Sequence, residues 1–327
     1  MPKLRDFPLT KRLTSNFADM FREAVSGHKD GKPDWVKSIE TGDAGLFKED
    51  GAVWQVHGSA ATLVGGIRAL LLQAAHPAPL SGVAQHSRYE SDPLGRLAGT
   101  TRWLTITTFG STQAIAREAE RVNKMHAGVS GEYTKKDGAH ANYRAADPRF
   151  LLWVHCAFTD SFLKCHQSLG YAITDGADEY VKDWALSAVR LGLESAPQSV
   201  AELESCLDDF RRNDLAHSAP TNEVVRFILN PPFGRAAMIF YRVLSNAAIC
   251  TLHDNELAIL ELKRPNKIWL KIARGMLNVF TALLGSESPS QHVARERLAG
   301  LRNSASAASS SDVEMETDVS ESESINS

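Results

Sequence analysis

A histidine at position 126 interrupts the apolar stripe of a predicted helix that begins near Ser111. The stripe consists of Ile115, Ala119, Val122, His126 and Val129, and the opposite, polar face of Glu118, Arg121 and Lys124. This spacing predicts that the imidazole points into the core, where both ring nitrogens need partners. A haem iron is one such partner, since a neutral imidazole nitrogen is its usual protein ligand. The alternative is an ordinary core histidine bonded to a backbone carbonyl.

Arg96 and Thr100 form a second candidate group, because they are four residues apart. On a helix they share one face and present a guanidinium and a hydroxyl together. Such a pair can clamp a propionate, or can stabilise oxygen bound to iron by hydrogen bonding. A salt bridge beside a threonine bonded to its own backbone is the alternative interpretation.

Two further histidines, His76 and His86, could point into the same cavity. His76 ends an apolar helix before Pro77, and His86 follows ten residues later on a short predicted helix. Helix capping and surface exposure are the alternative roles. His155 and His166 lie on a later helix, and no pair of histidines or cysteines has the spacing of a classical zinc site.

The elements that must position these side chains are predicted to be almost all helical. Apolar residues recur with helical periodicity over 59–75, 111–128, 150–170, 176–193, 199–215, 221–229, 234–251 and 254–285. Residues 96–110 fit a strand by their Thr and Ile content, and a helix ending at Gly110 about as well. Residues 131–148 break the pattern and predict a small hairpin or ordered loop. The fold class expected is therefore all-α, a single large domain with a globin-like core.

Composition is that of a soluble globular protein, with 43% hydrophobic and 23% charged residues. The net charge of −3 gives no electrostatic reason to expect a nucleic-acid partner. Six acids and no Lys or Arg occur over 303–327, in a Ser-rich context that predicts disorder. We therefore expect an N-terminal extension (1–50), a helical domain (51–285) and a C-terminal linker with a disordered tail (286–327). The oligomeric state stays open.

Four cysteines, none in a CxxC pair, indicate free thiols in a reducing compartment. The N-terminus has no apolar run long enough for a signal peptide. The longest apolar stretch, near 63–75, is interrupted by Gly65, Gly66, Arg68 and Gln73, so no integral membrane segment is expected. A cytoplasmic location is the default expectation.

Three blocks of sequence resemble the MpaB-type oxygenase family, which is similar to the catalytic domain of latex-clearing proteins (rubber oxygenases). They are "LLLQAAHPAPLSGVAQHSRYESDPLGRLAGTTRWLTITTFG", "ERVNKMHAGVSGEY" and "NYRAADPRFLLWVHCAFTDSFL". The resemblance covers about residues 50–285. It implies an all-α, globin-like domain that binds b-type haem, and an oxygenase that acts through iron-bound O2 on an apolar, isoprenoid or lipid-like unsaturated substrate.

The resemblance also implies roles for single residues. His126 corresponds to the proximal iron ligand, and Arg96 and Thr100 to the distal residues that poise oxygen or substrate. His76 and His86 match motif positions near the pocket, with His76 expected to contact haem. The candidates for propionate contacts are Arg102 and Arg144.

One position departs from the family pattern. Rubber oxygenases carry a lysine just before the distal threonine, and that lysine can cap the iron, whereas this chain has Gly99. The iron is therefore expected to keep an open site, a water or another side chain, which weakens the case for rubber as substrate. A haem protein that stores or senses haem or gas is the first alternative function. An interaction protein without a cofactor is the second.

Overall fold

The structure is a computed structural model that describes residues 33–86 and 93–324, with side chains described except at 83–86, 93–98, 236, 284 and 307–324. After a 3₁₀ helix (Asp34–Ile39), the first helices are α1 (Ala52–Gly58), α2 (Thr62–Ala74), α3 (Pro77–His86), α4 (Pro93–Phe109) and α5 (Thr112–Ala127). Those that follow are α6 (Pro148–Ser168), α7 (Ala177–Arg190), α8 (Val200–Asn213), α9 (Thr221–Leu229), α10 (Arg235–Cys250), α11 (Asp254–Ile259), α12 (Ile268–Leu284) and α13 (Pro289–Ser324). The all-α prediction is confirmed, and residues 96–110 are helical rather than extended.

Between α5 and α6 lies a hairpin of strands β1 (Ser130–Thr134) and β2 (His140–Arg144), paired antiparallel with Gly131 opposite Tyr143. The connecting turn uses Gly138, whose φ of +86° lies in the left-handed region that favours glycine. The predicted small hairpin within 131–148 is thus confirmed. Its strands pack against α3.

The core is built around α2 and α6, which lie against each other along much of their length. Close approach depends on Gly65, because a Cβ there would lie 2.6 Å from the Phe162 ring. Helices α9 and α10 cover α2, while α7 and α8 cover α6. Trp153, Tyr180 and Phe210 are fully buried in this arrangement, so the helices that flank the candidate site rest on one continuous core.

The chain segments before and after the predicted domain also belong to this core. Ile39 and Phe47, which lie within the predicted extension 1–50, are buried with it. Ala294 is likewise buried, and Arg297 donates hydrogen bonds to the carbonyl oxygens of Ile39 (2.5 Å) and Phe109 (2.9 Å). The start of α13, which lies within the predicted linker from residue 286, therefore packs against the core. The helix continues to Ser324, where the sequence predicted disorder.

Within 33–86 and 93–324, no helix combines the length and the apolar character that crossing a membrane requires.

Candidate functional site

Helices α4 and α5 form an antiparallel pair that carries most of the predicted site. The tight connection uses Gly110, where a Cβ would lie 2.5 Å from the carbonyl oxygen of Ile106. Ser111 then caps α5 by accepting a hydrogen bond from the Ala114 amide. Asp43 accepts a second hydrogen bond, from the Thr112 amide at 2.7 Å. The start of α5 is therefore fixed from two sides.

His126 lies in the last turn of α5. The apolar stripe before it is buried as predicted at Ile115, Ala119 and Val122, but the His126 side chain is only half-buried. Its Nδ1 atom is buried and has no hydrogen-bond partner. Burial, and then the charge of Arg121, lower the pKa of His126. The imidazole is therefore neutral at physiological pH and keeps a buried nitrogen that the protein does not use.

The predicted polar face of α5 is wrong at Glu118, which is 2% exposed. Its carboxylate accepts a hydrogen bond from Arg102 Nε at 2.8 Å and another from Arg121 Nη2 at 2.6 Å. Arg102, expected to contact a propionate, pairs with Glu118 and is about a third exposed, so its contact with a propionate stays a prediction. Glu118 could have been found from the sequence, since it lies between Ile115 and Val122 on the stripe that also predicted His126.

This ion pair sets the register of the two helices. Arg102 lies before the tight connection at Gly110 and Glu118 lies after it, while Arg96 and His126 lie further from that connection along their helices. Arg96 and His126 therefore occupy the same end of the helix pair, although the Arg96 side chain is outside the described residues. Thr100 is half-buried on the same helix.

The residue before Thr100 has space beside it. A Cβ placed at Gly99 would meet no described atom within 4 Å. The position that carries an iron-capping lysine in rubber oxygenases is here a glycine with free space around it.

His76 lies in a different environment, next to a cleft of about 680 Å³ beneath the hairpin. The cleft is lined by His76, Tyr133, Lys135, Asn142, Arg149 and Phe150, among others, and its lining does not include Thr100, Arg102, His126 or Arg144. The His76 ring packs against Phe150 at 5.6 Å and Trp153 at 5.5 Å between ring centroids. His76 thus belongs to the wall of this cleft.

The protonation of His76 can be derived from its contacts. Its Nδ1 accepts a hydrogen bond from the Ala78 amide at 3.2 Å, so the proton of the neutral ring is on Nε2. Burial, with a contribution from Arg149, lowers the pKa of His76 to about 3. The Nε2 atom is buried without a partner, but as an N–H group it is a donor. In this tautomer His76 fits a hydrogen bond to an oxygen atom and does not fit an iron ligand.

Two other histidines, His57 and His166, have hydrogen-bond partners at both ring nitrogens. His57, which the sequence did not single out, bonds Thr108 Oγ1 (2.8 Å) and Tyr180 Oη (2.9 Å) through its two ring nitrogens. His166 bonds Ser59 Oγ and the Ala172 carbonyl oxygen in the same way. His126 differs from both, since one of its buried nitrogens is unpaired.

Two predicted site residues remain. His86 ends α3, and its side chain is outside the described residues. Arg144 lies at the end of β2, opposite Ser130, with its side chain exposed. Neither position supports or contradicts a contact with haem.

A histidine that binds haem iron must have a neutral imidazole with one nitrogen free of protein partners, and His126 meets both conditions. His126, with its unpaired buried Nδ1, thus fits an iron ligand. Within 33–86 and 93–324, the structure describes no group of three or more His, Cys, Asp or Glu that could hold a metal ion.

Glu118→Gln is expected to destabilise the protein by about 1–3 kcal/mol, because it leaves Arg102 and Arg121 facing each other without a carboxylate. Both guanidinium groups are about a third exposed, with side-chain exposures of 36% and 37%, so water offsets part of the loss. Urea unfolding of the purified protein measures the effect. Glu120→Gln, at an exposed position of the same helix, is the matched control and should change stability by less than about 0.5 kcal/mol.

Comparison with known families places the site within one family domain. A family model described as "ER-bound oxygenase mpaB/B'/Rubber oxygenase, catalytic domain" matches residues 54–285. This span includes α4, α5, the hairpin and both unpaired histidines, and it covers well over half of the chain. No curated protein and no solved structure matches the chain significantly.

Proposed function

The chain belongs to the mpaB/rubber oxygenase catalytic-domain family, and we propose that it is a haem b-dependent oxygenase that oxidises an apolar, unsaturated substrate with O2. Membership supports the oxygenase class, and hence an oxidoreductase. The proposal of haem rests on the unpaired, buried Nδ1 of His126. An isoprenoid or lipid-like substrate is the expectation for the family.

The residues described would act as follows. His126 would hold haem through a neutral ring nitrogen, because burial, and then the charge of Arg121, lower the pKa of that ring and so keep it available as a ligand. Bound haem would supply the chemistry that activates O2. Thr100 and Arg96 would donate hydrogen bonds to the reacting oxygen atoms from the neighbouring helix. In this proposal Glu118 positions Arg102 and Arg121 and does not touch substrate.

The proposal is tested by the absorption spectrum of protein expressed with a haem supply, followed by turnover of the reduced protein with an isoprenoid and O2. A Soret band and carbonyl products are expected. Arg96→Ala should then reduce turnover while haem stays bound. A colourless protein contradicts the proposal, and a haem protein that yields no oxidised product from a panel of alkenes favours storage or sensing of haem or gas.

Gly99→Lys is expected to restore an iron-capping amine. A Cβ at Gly99 meets no described atom within 4 Å, and lysine is a better helix former than glycine by about 1 kcal/mol, so the substitution should not impair folding. If the amine occupies the iron about nine-tenths of the time, the apparent affinity for carbon monoxide falls by about tenfold. Carbon monoxide titration of the reduced protein measures this. Gly275→Lys, at an exposed position of α12 with equally free space, should leave the affinity unchanged.

A further inference from the structure

Helices α6 and α8 meet along an antiparallel seam of paired side chains. Its contacts are the ion pair Arg149–Asp209 (2.7 Å), the Trp153–Phe210 ring contact (5.1 Å between centroids), the thiol pair Cys156–Cys206 and the ion pair Lys164–Glu204 (2.9 Å). Residue numbers rise along α6 while they fall, overall, along α8. The thiol pair therefore lies inside a seam that is held by ion pairs on both sides.

The two sulfur atoms are already in contact. Cys156 Sγ lies 3.6 Å from Cys206 Sγ. A disulfide bond is about 2.05 Å long, so bonding needs the sulfur atoms to approach by about 1.5 Å. Cys156 is buried, whereas Cys206 is only half-buried and can be reached from solvent.

The environment also gives the two thiols different chemical roles. The hydrogen bond from Cys156 and the charge of Arg149 lower the pKa of Cys206. The hydrogen bond to Cys206, and then burial, raise the pKa of Cys156. Cys206 is also the more exposed of the two thiols, so it is the one placed to ionise and react first, as the thiolate. Cys156, held beside it, is placed to react second.

We propose that Cys156 and Cys206 are an oxidation site at which a small hydroperoxide joins α6 to α8 by a disulfide bond. The Cys206 thiolate attacks the peroxide oxygen, which forms a sulfenic acid and releases water or an alcohol as the O–O bond breaks. The Cys156 sulfur then attacks the Cys206 sulfur, which forms the S–S bond and releases water. The two thiols lose two electrons and two protons, and the hydroperoxide is reduced by the same two electrons.

The bond would stiffen the wall that holds His76. Trp153 and Phe210, each about one helical turn from a cysteine, both pack against the His76 ring, at 5.5 and 6.2 Å between centroids. The cleft beneath the hairpin is lined by Arg149 of the same seam. Oxidation would therefore fix the helices on which this cleft rests. Haem is not required, so the inference does not depend on the proposed function.

The test is to treat the purified full-length chain with hydrogen peroxide, block the remaining thiols with N-ethylmaleimide, and map the peptides by mass spectrometry. A peptide pair linked through Cys156 and Cys206 is expected. The 50-residue separation of the two cysteines predicts a melting temperature higher by about 5 °C than that of the reduced protein, reversed by dithiothreitol. Cys206→Ala should abolish both effects, while Cys250→Ala should keep them.

Other results overturn the inference. They are a Cys206 that stops at the sulfenic or sulfinic acid, a link to Cys165 or Cys250, a bond between two copies of the chain, and a link that forms only in denaturant. A linked peptide without a change in melting temperature would overturn the stiffening of the seam. The same peroxide treatment is run on protein grown with and without haem. It distinguishes a failure of the disulfide proposal from a failure of the oxygenase proposal.

Discussion

His126→Ala is expected to abolish haem binding, with an affinity at least about 100-fold lower than that of the wild type. The imidazole is half-buried at the end of α5 and leaves Nδ1 without a protein partner. Its removal therefore breaks no hydrogen bond of that nitrogen, and the haem-free protein should lose less than about 1 kcal/mol of stability. Haem titration followed by absorption, with unfolding of the haem-free protein alongside, measures both quantities.

Two matched variants test whether the loss of haem is specific to His126. His76→Ala should keep the Soret band, because the tautomer of His76 places a proton on its free nitrogen. His140→Ala, at an exposed position of the hairpin, should behave as the wild type. If His76→Ala loses haem and His126→Ala retains it, the proximal role assigned to His126 is wrong. If no variant changes the spectrum, haem binds outside the described site.

The sequence predicted the helix stripe that carries His126 better than it predicted which side chains pair with each other around it. Periodicity of 3.6 residues is a local property, so it correctly gave the stripe through Ile115 and Val122. Partners distant in sequence are set by tertiary packing, which periodicity does not contain. Arg102 was therefore assigned to a propionate, while the structure pairs it with Glu118. Glu118 itself was assigned to solvent because a charged residue is rarely buried unless it is paired.

The same distinction holds for the fold. The hairpin was predictable because its turn chemistry is local, and the helices because their stripes are long. The ends of the domain were not, since burial of Ile39 and Ala294 depends on contacts between segments more than 200 residues apart. A linker was predicted from residue 286, but Arg297 binds carbonyl groups that only the folded chain brings together.

A buried ion network between α2, α6, α8 and α11 is a second feature that periodicity misses. Arg68, in the middle of an apolar helix, is 1% exposed and lies 2.6 Å from Asp160. Its Nη1 donates to Ser161 Oγ at 2.9 Å. Glu256, which is fully buried, lies 4.0 Å from Arg68 and 3.0 Å from Arg211. Arg68 thus lies close to two buried carboxylates, Asp160 and Glu256. Glu256 is also paired with Arg211.

Arg68→Met is expected to cost about 3–5 kcal/mol, because it leaves the Asp160 carboxylate buried without its counter-charge. Burial already raises the pKa of Asp160, and Arg68 opposes that rise. In the variant the folded protein would bind a proton at Asp160 that the unfolded chain binds only near pH 4. Stability would therefore fall as pH rises above that value, and the loss should be smaller at pH 5 than at pH 8.

Urea unfolding of Arg68→Met at these two pH values measures the loss. The double variant Arg68→Met/Asp160→Asn removes both charges and should recover at least about half of it. Arg190→Met, at an exposed position of α7, is the control and should cost less than about 0.5 kcal/mol. A loss that does not change with pH and is not recovered in the double variant would show that Arg68 stabilises the fold by filling space. In that case the charge of Arg68 contributes little to the stability of the core.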